Sequence, residues 1–238
     1  MIHGLITVAV AAVTAYLIYG IWFPGELSSI LKGTGLYQLI LIVEICLGPL
    51  ISIVIFNPAK SRRELVRDYL VVGCVQIAAF VYGVCAVAAA RPVFSVFVKD
   101  RLEVVSAIEL KEEDLAAAGD AQFSKLPWLA MRSICTESPQ NPQEKSDLLM
   151  SSLTGKDIQL IPRYYRACHK QEVFGASLDK ADLFTTTSIR LGDLPQYLQT
   201  QNFRWLPVST RFGYALAVFP EGNKDNPVYI NLNPYMTR

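Results

Sequence analysis

The sequence predicts a membrane protein: a three-helix transmembrane bundle followed by an α+β extracytoplasmic domain with a mostly antiparallel sheet. Three observations lead there. Residues 36–56 form an apolar run with one carboxylate, Glu44, inside it, and about 20 apolar residues are enough to cross a bilayer. The next stretch, 57–68, is short and carries Lys60, Arg62, Arg63 and Arg67, the composition of a loop retained in the cytoplasm. Charge is also unevenly spread: residues 1–91 hold few charged groups, whereas 92–238 have nearly balanced acids and bases. The chain is 238 residues long and 52% hydrophobic, which fits a membrane part plus one domain of ordinary size. A formal net charge of +1 gives no nucleic-acid footprint.

The predicted boundaries are 1–91 for the transmembrane part, with helices at about 4–23, 36–56 and 69–90, and 92–238 for the outer domain. The first apolar run lacks the basic start and small-residue cleavage site of a signal peptide and reads as a retained helix. Tyr16, Tyr19, Trp22 and Phe23 cluster at its end, as interfacial aromatics do, and Pro24-Gly25 stops it. The loop 24–35 carries one Glu and one Lys against the four basic residues of 57–68. That asymmetry places 57–68 and the amino terminus inside and the carboxy-terminal domain outside. In a Gram-negative cell the latter lies in the periplasm and the helices in the inner membrane.

Within the second helix, Pro49 removes a backbone hydrogen bond and bends the helix, with Gly48 beside it. Ala79 and Gly83 give the third helix a small-xxx-small face. Such faces either hold the three helices together or dock another membrane helix. A carboxylate in lipid is costly, so Glu44 is expected protonated and hydrogen-bonded to Thr14 or Tyr82, which fall at a similar depth. The structural alternative to a partner contact is a polar clasp within the bundle.

In the outer domain, residues 93–98 and 102–106 read as a hairpin. Residues 108–118 read as a short helix capped by Ser106 and Glu109. Residues 128–136 read as a strand, and Asn141-Pro142-x-Glu144 starts a helix to about Leu153. Residues 162–166 form an irregular basic-aromatic patch and 193–201 a short helix. Strands at about 203–208, 214–219 and 228–232 close a domain expected to carry its helices on one face of the sheet. Cys135 and Cys168, the two cysteines of this domain, are expected to pair if it lies outside the cytoplasm; the alternative is two buried thiols.

Chemistry-bearing motifs are sparse. The two histidines are His3 and His169. There is no zinc-type spacing, no phosphate-binding glycine loop and no nucleophile with a base and an orienting group. No cofactor, metal or catalytic residue is predicted, and the expectation is a protein that is not an enzyme.

By the second and third helices the residues resemble a known family. EICLGPLISIVIFNPAKSRRELVRDYLVV, then Gln76 and Tyr82-Gly83, then ARPVFSVFVKDRLEVVSA are similar to type IV pilin accessory proteins of the TfpX/TfpZ group. The family pattern falls on Glu44, Cys46–Leu50, Phe56–Asp68 and Ala89–Arg101, with glutamate where the family often has aspartate. The resemblance implies an inner-membrane, chaperone-like helper that binds a cognate type IV major pilin and promotes its stability or assembly into pili. Its partners would be the pilin's transmembrane helix, the pilin's periplasmic head and membrane lipid. Gln76 is at a suitable depth to meet the glutamate that family pilins carry in their helix. Two other readings stay open: a membrane-anchored periplasmic sensor acting through a partner protein, and a cell-envelope enzyme.

Overall fold

A computed structural model describes residues 2–43, 61–169 and 171–236. The chain divides into a helix-rich amino-terminal part and a mixed-sheet domain. Helix α1, Ile2–Ala15, continues as a π-helical stretch, Tyr16–Trp22. Phe23 N–H closes that stretch on Ile18 O at 2.7 Å. The wider π turn brings Ile18, Trp22 and Phe23 into the core together, at 1%, 7% and 0% exposure. Two further helices follow, α2 at Leu27–Ile30 and α3 at Gly33–Val43.

The stretch 24–35 is therefore not a simple surface loop. Leu27, Ile30 and Leu31 repeat at i, i+3 and i+4, the spacing of one helix face, and all three are buried. Lys32, with φ of 60°, makes the turn into α3. Gly33 lets the buried Phe23 ring lie against the backbone, because a Cβ there would stand 2.9 Å from two ring carbons.

Helix α4, Arg62–Ala90, has 29 residues and is about 44 Å long. Its start corrects the sequence reading, which begins the third helix at Tyr69. Ser61 and Glu64 form a reciprocal capping box, with Ser61 N–H to Glu64 Oε2 at 2.8 Å. Arg62, Arg63 and Arg67 consequently lie on the first turns of a helix and not in a loop. Among the described residues α4 is the one helix long and apolar enough to cross a membrane. It meets α3 closely: a Cβ on Gly83 would be 2.9 Å from Ile40 Cγ1. Helices α3 and α1 are joined by Tyr37 Oη donating to Ala11 O at 3.0 Å.

The sheet is ordered β4-β3-β1-β2-β6-β7-β8, with β5 (Leu178–Asp179) pairing β6. The hairpin β1 (Pro92–Val98) and β2 (Arg101–Ser106) lies at its centre. Strands β3 (Arg132–Thr136) and β4 (Tyr165–Arg166) flank β1, and β6 (Phe203–Thr210), β7 (Gly213–Pro220) and β8 (Val228–Ile230) extend the other side. The β1–β3 and β2–β6 pairs are parallel and the other pairings antiparallel. The sheet is thus mixed.

Both sheet faces are buried, which corrects the expectation of helices on one face only. Period-two alternation sends Phe97, Leu102, Val104, Leu206, Val208, Ala215 and Ala217 to one face, where they join Ile18, Phe23, Leu31 and Val87. Val96, Val98, Val105 and Ile134 point the opposite way, onto Leu115, Phe123 and Tyr165. Trp205, Leu216 and Val218 do the same against Leu183 and Leu198.

Several local readings change. The strand expected at 128–136 starts only at Arg132. The helix expected at 108–118 is a 3-10 turn, Ala107–Glu109, then α5, Glu112–Ala116, with Ser106 N–H held by Glu109 Oε2 at 2.7 Å. Helix α6, Pro142–Leu153, has the Asn141 cap, with Gln143 N–H on Asn141 Oδ1 at 2.9 Å. The basic-aromatic patch contains Tyr165, which is buried edge-to-face against Phe94 and Phe123. The helix expected at 193–201 shortens to α9, Gln196–Gln199, behind Pro195. Two helices escaped sequence reading, α7 at Glu172–Ala176 and α8 at Lys180–Thr186. Cys135 and Cys168 are joined, with Cα atoms 4.9 Å apart, tying β3 to the segment after β4.

Candidate functional site

Helix α4 has two unlike faces. Val72, Gln76, Ala79, Gly83 and Val87 recur at helical spacing, and within that row Val72 and Val87 are buried and Gln76, Ala79 and Gly83 half-buried. Opposite them, Cys74, Ile77, Ala78, Val81, Tyr82 and Cys85 line a shallow apolar groove. Ile77 is 66% and Tyr82 78% exposed. This stripe is an open apolar surface among the described residues of the amino-terminal part.

The residues singled out from sequence divide accordingly. Gly83 serves close packing against Ile40 of the same chain, and Ala79 and Gln76 share its row. Gln76 is thus not on the open stripe. Tyr82 is exposed and Thr14 donates its hydroxyl to Val10 O at 2.8 Å; the clasp expected of them with Glu44 falls on a residue outside those described. Glu44, Gly48, Pro49 and Lys60 lie outside the described residues.

The end of α4 carries a constellation that sequence reading missed. Arg91 follows the helix directly and is 4% exposed. Its Nη1 donates to Ala88 O at 2.5 Å, and its Nη2 and Nε donate to Pro127 O at 3.2 and 3.4 Å. The guanidinium carbon stands 4.2 Å from the centre of the Trp128 ring, a cation–π geometry. From the other helix, Trp22 Nε1 donates to Trp128 O at 3.0 Å. The ends of the first helix and of α4 are therefore both fastened to one turn of the sheet domain. The available signal was the Lys-Leu-Pro-Trp turn at 125–128, whose proline carbonyl and tryptophan ring suit an arginine.

A second open apolar surface lies on α6, where Leu149, Met150 and Leu153 are 68%, 63% and 81% exposed. A polar cleft of about 520 Å³ sits beside Phe174 and is lined by Lys180, Arg204 and Lys224. Two of its cations are engaged. Lys180 Nζ donates to the carbonyls of Leu198, Gln199 and Gln201. Arg204 donates to Ser177 O and pairs with Asp179 at 3.5 Å. These contacts anchor α8 and α9 on the sheet. His169 lies beside a structural ion pair, Arg166–Glu172 at 2.6 Å, whose glutamate also accepts the His169 N–H. Among the described residues no group of three or more histidine, cysteine or acidic side chains is placed to hold a metal.

The architecture is that of a bilayer-length helix fastened to a mixed-sheet domain, with open surfaces that are apolar and shallow. The chain is 30% identical over 166 residues to the fimbrial assembly protein, serogroup I, of Dichelobacter nodosus, covering 70% of this chain and 64% of that protein. It is 28% identical over the same length to the serogroup E1 protein of that organism. With the fimbrial assembly protein of serogroups C1 and C2 it shares 33% identity over 117 residues, 49% of this chain and 89% of the relative. The chain belongs to the fimbrial assembly protein family. It spans 64% of the length of the first two relatives. No family model matches the chain, and no solved structure matches it.

Proposed function

We propose that this protein is an inner-membrane helper that binds a type IV pilin and promotes its assembly into pili. Helix α4 crosses the bilayer with Arg62, Arg63 and Arg67 at its cytoplasmic end, as the positive-inside rule requires. The sheet domain, packed against Ile18–Leu31 at the other end, then lies in the periplasm. A pilin awaiting assembly has one apolar helix in the membrane and a globular head outside it. The observation that carries the reading is the open stripe from Cys74 to Cys85, an apolar face at helical spacing that accepts a second helix. The exposed apolar side chains of α6 supply a contact for the head.

Site-specific photocrosslinking in native membranes tests this, with probes at Ile77, Val81 and Leu153. Capture of the major pilin at an α4 position and at Leu153 is the expected result. Capture of lipid alone at α4 and of nothing at Leu153, in cells making pili, would overturn the two-part contact.

A further inference from the structure

We propose that the turn 125–130 is a lipid-interface anchor, inserted at the headgroup boundary so that the sheet domain is held against the membrane surface. The inference rests on the reading of α4 as a bilayer-crossing helix and goes beyond pilin binding.

The position of this turn is fixed by the helices themselves. Arg91, one residue past α4, holds Pro127 O, and Trp22, the last residue of the π-helical stretch, holds Trp128 O. Both helices end there, so the main chain at 127–128 is held against the same end of the helical part as Trp22 and Arg91. The side chains there are unlike those of an ordinary soluble turn. Trp128 is 63% and Leu129 74% exposed, although both are large and apolar. Exposed Lys125 and Arg132 flank them; Arg132 donates to Gln122, which leaves Lys125 as the cation with a freely reaching chain.

Tryptophan with neighbouring cationic side chains is what membrane–water boundaries favour. The indole presents an apolar body and a wet edge, and basic groups meet anionic headgroups. The Arg91 guanidinium beneath Trp128 sets the ring's position. Leu129, beside it in the chain, has no such partner and is the residue placed to enter the acyl boundary. Because the occupant is the bilayer surrounding the protein's own helices, no other molecule is required.

The test uses the full chain in nanodiscs of phosphatidylethanolamine and phosphatidylglycerol. Cys46, Cys74 and Cys85 are replaced by alanine, and single nitroxide labels are placed at L129C, at A130C and, as a depth reference, at V81C. Collision with oxygen, which concentrates in the apolar layer, is compared with collision with a water-soluble nickel chelate. The expected result is oxygen-favoured collision at L129C or A130C, at a depth shallower than V81C. If both turn labels collide with nickel as freely as solvent-exposed sites while V81C favours oxygen, the anchor is refuted and the membrane reading stands. If V81C is also nickel-accessible, the membrane reading fails and the anchor with it. Labels shielded from both reagents would show that protein, not lipid, covers the turn, and would overturn the proposal.

Discussion

Replacing Arg91 with methionine isolates the joint between helices and sheet domain. The side chain makes one charge-assisted hydrogen bond to Ala88 O and shares two donors on Pro127 O. Hydrogen bonds from charged groups contribute about 1.5–3 kcal/mol each, and the stacked indole adds about 0.5–1 kcal/mol at an exposed ring. Against this, methionine removes the desolvation cost of a guanidinium that is 4% exposed. A net loss of about 2 kcal/mol, localised to the 125–130 turn, is expected, because Pro127 O loses its donors. The assay is trypsin cleavage after the exposed Lys125 in the detergent-solubilised chain. When opening is fast relative to cleavage, the rate follows the open population, so about 2 kcal/mol corresponds to roughly 30-fold faster cutting. Arg91→Lys keeps the charge but not the planar fork and should fall between. Trp22→Phe, which removes a single neutral hydrogen bond, should give about fivefold. Cleavage of Arg91→Met within twofold of the unaltered chain would refute the argument that this arginine fastens the turn.

Three other outcomes follow from local geometry. Cys135→Ser with Cys168→Ser opens a link between residues 33 apart, and a loop of that length predicts a loss of about 4 kcal/mol; equilibrium unfolding with and without reductant measures it, and reductant should not affect the double variant. Gly83→Ala brings a Cβ to 2.9 Å from Ile40 Cγ1 and should cost about 1–3 kcal/mol, as read from thermal melting in detergent; adding Ile40→Ala, which removes Cγ1, should relieve the clash so that the two changes are not additive. Hydrogen bonds from Arg166 and from the His169 backbone hold the Glu172 carboxyl below the ordinary glutamate value of 4.5. A depressed carboxylate pKa stabilises the fold above the unfolded value, and that contribution is lost as pH falls through the folded one. Hydrogen-exchange protection around 171–176 should therefore hold at neutral pH and decline below about pH 4.5, and Glu172→Gln should flatten that decline.

What could be read from sequence was what is encoded locally. The β1–β2 hairpin shows as two β-branched runs around Lys99-Asp100, and Lys99 takes the left-handed turn with φ of 56°. Helix α6 is marked by its cap and proline, and β6–β8 by apolar runs between polar turns. The parallel pairs β1–β3 and β2–β6 join segments far apart in sequence, which no local pattern marks. The start of α4 was legible and misread: Ser61-x-x-Glu64 is a capping-box pattern, but the arginines around it read as a loop. The burial of Leu27, Ile30 and Leu31 was hidden because apolar residues between two apolar runs look alike whether they meet lipid or a sheet. The α4 stripe was only half legible, since composition does not say which side of an apolar helix its own chain covers.

That hidden burial decides where a chimera that tests the proposed pilin contact can be cut. A chimera that exchanges residues 92–238 between two such proteins looks natural from sequence, because Arg91-Pro92 ends the last apolar run. The structure makes it a poor cut. Ile18, Phe23, Leu27 and Leu31 share one core with Phe97, Leu206, Val208 and Ala217, and the small Ala215 and Ala217 let the chain approach the sheet closely. A foreign sheet face of different volume would leave voids or clashes, each worth about 1–3 kcal/mol for a mismatched large side chain. The same cut would separate Arg91 and Trp22 from the turn they hold. An exchange at 92 alone should therefore lower the melting temperature and the yield of folded protein. Moving 18–31 together with 87–238, which carries Val87 and Arg91 along, should restore both, and the proposed pilin contact should be scored only in that second chimera. Equal stability of the two chimeras, measured by thermal melting in detergent, would show that the shared core tolerates mismatch and that the sheet domain is separable at residue 92.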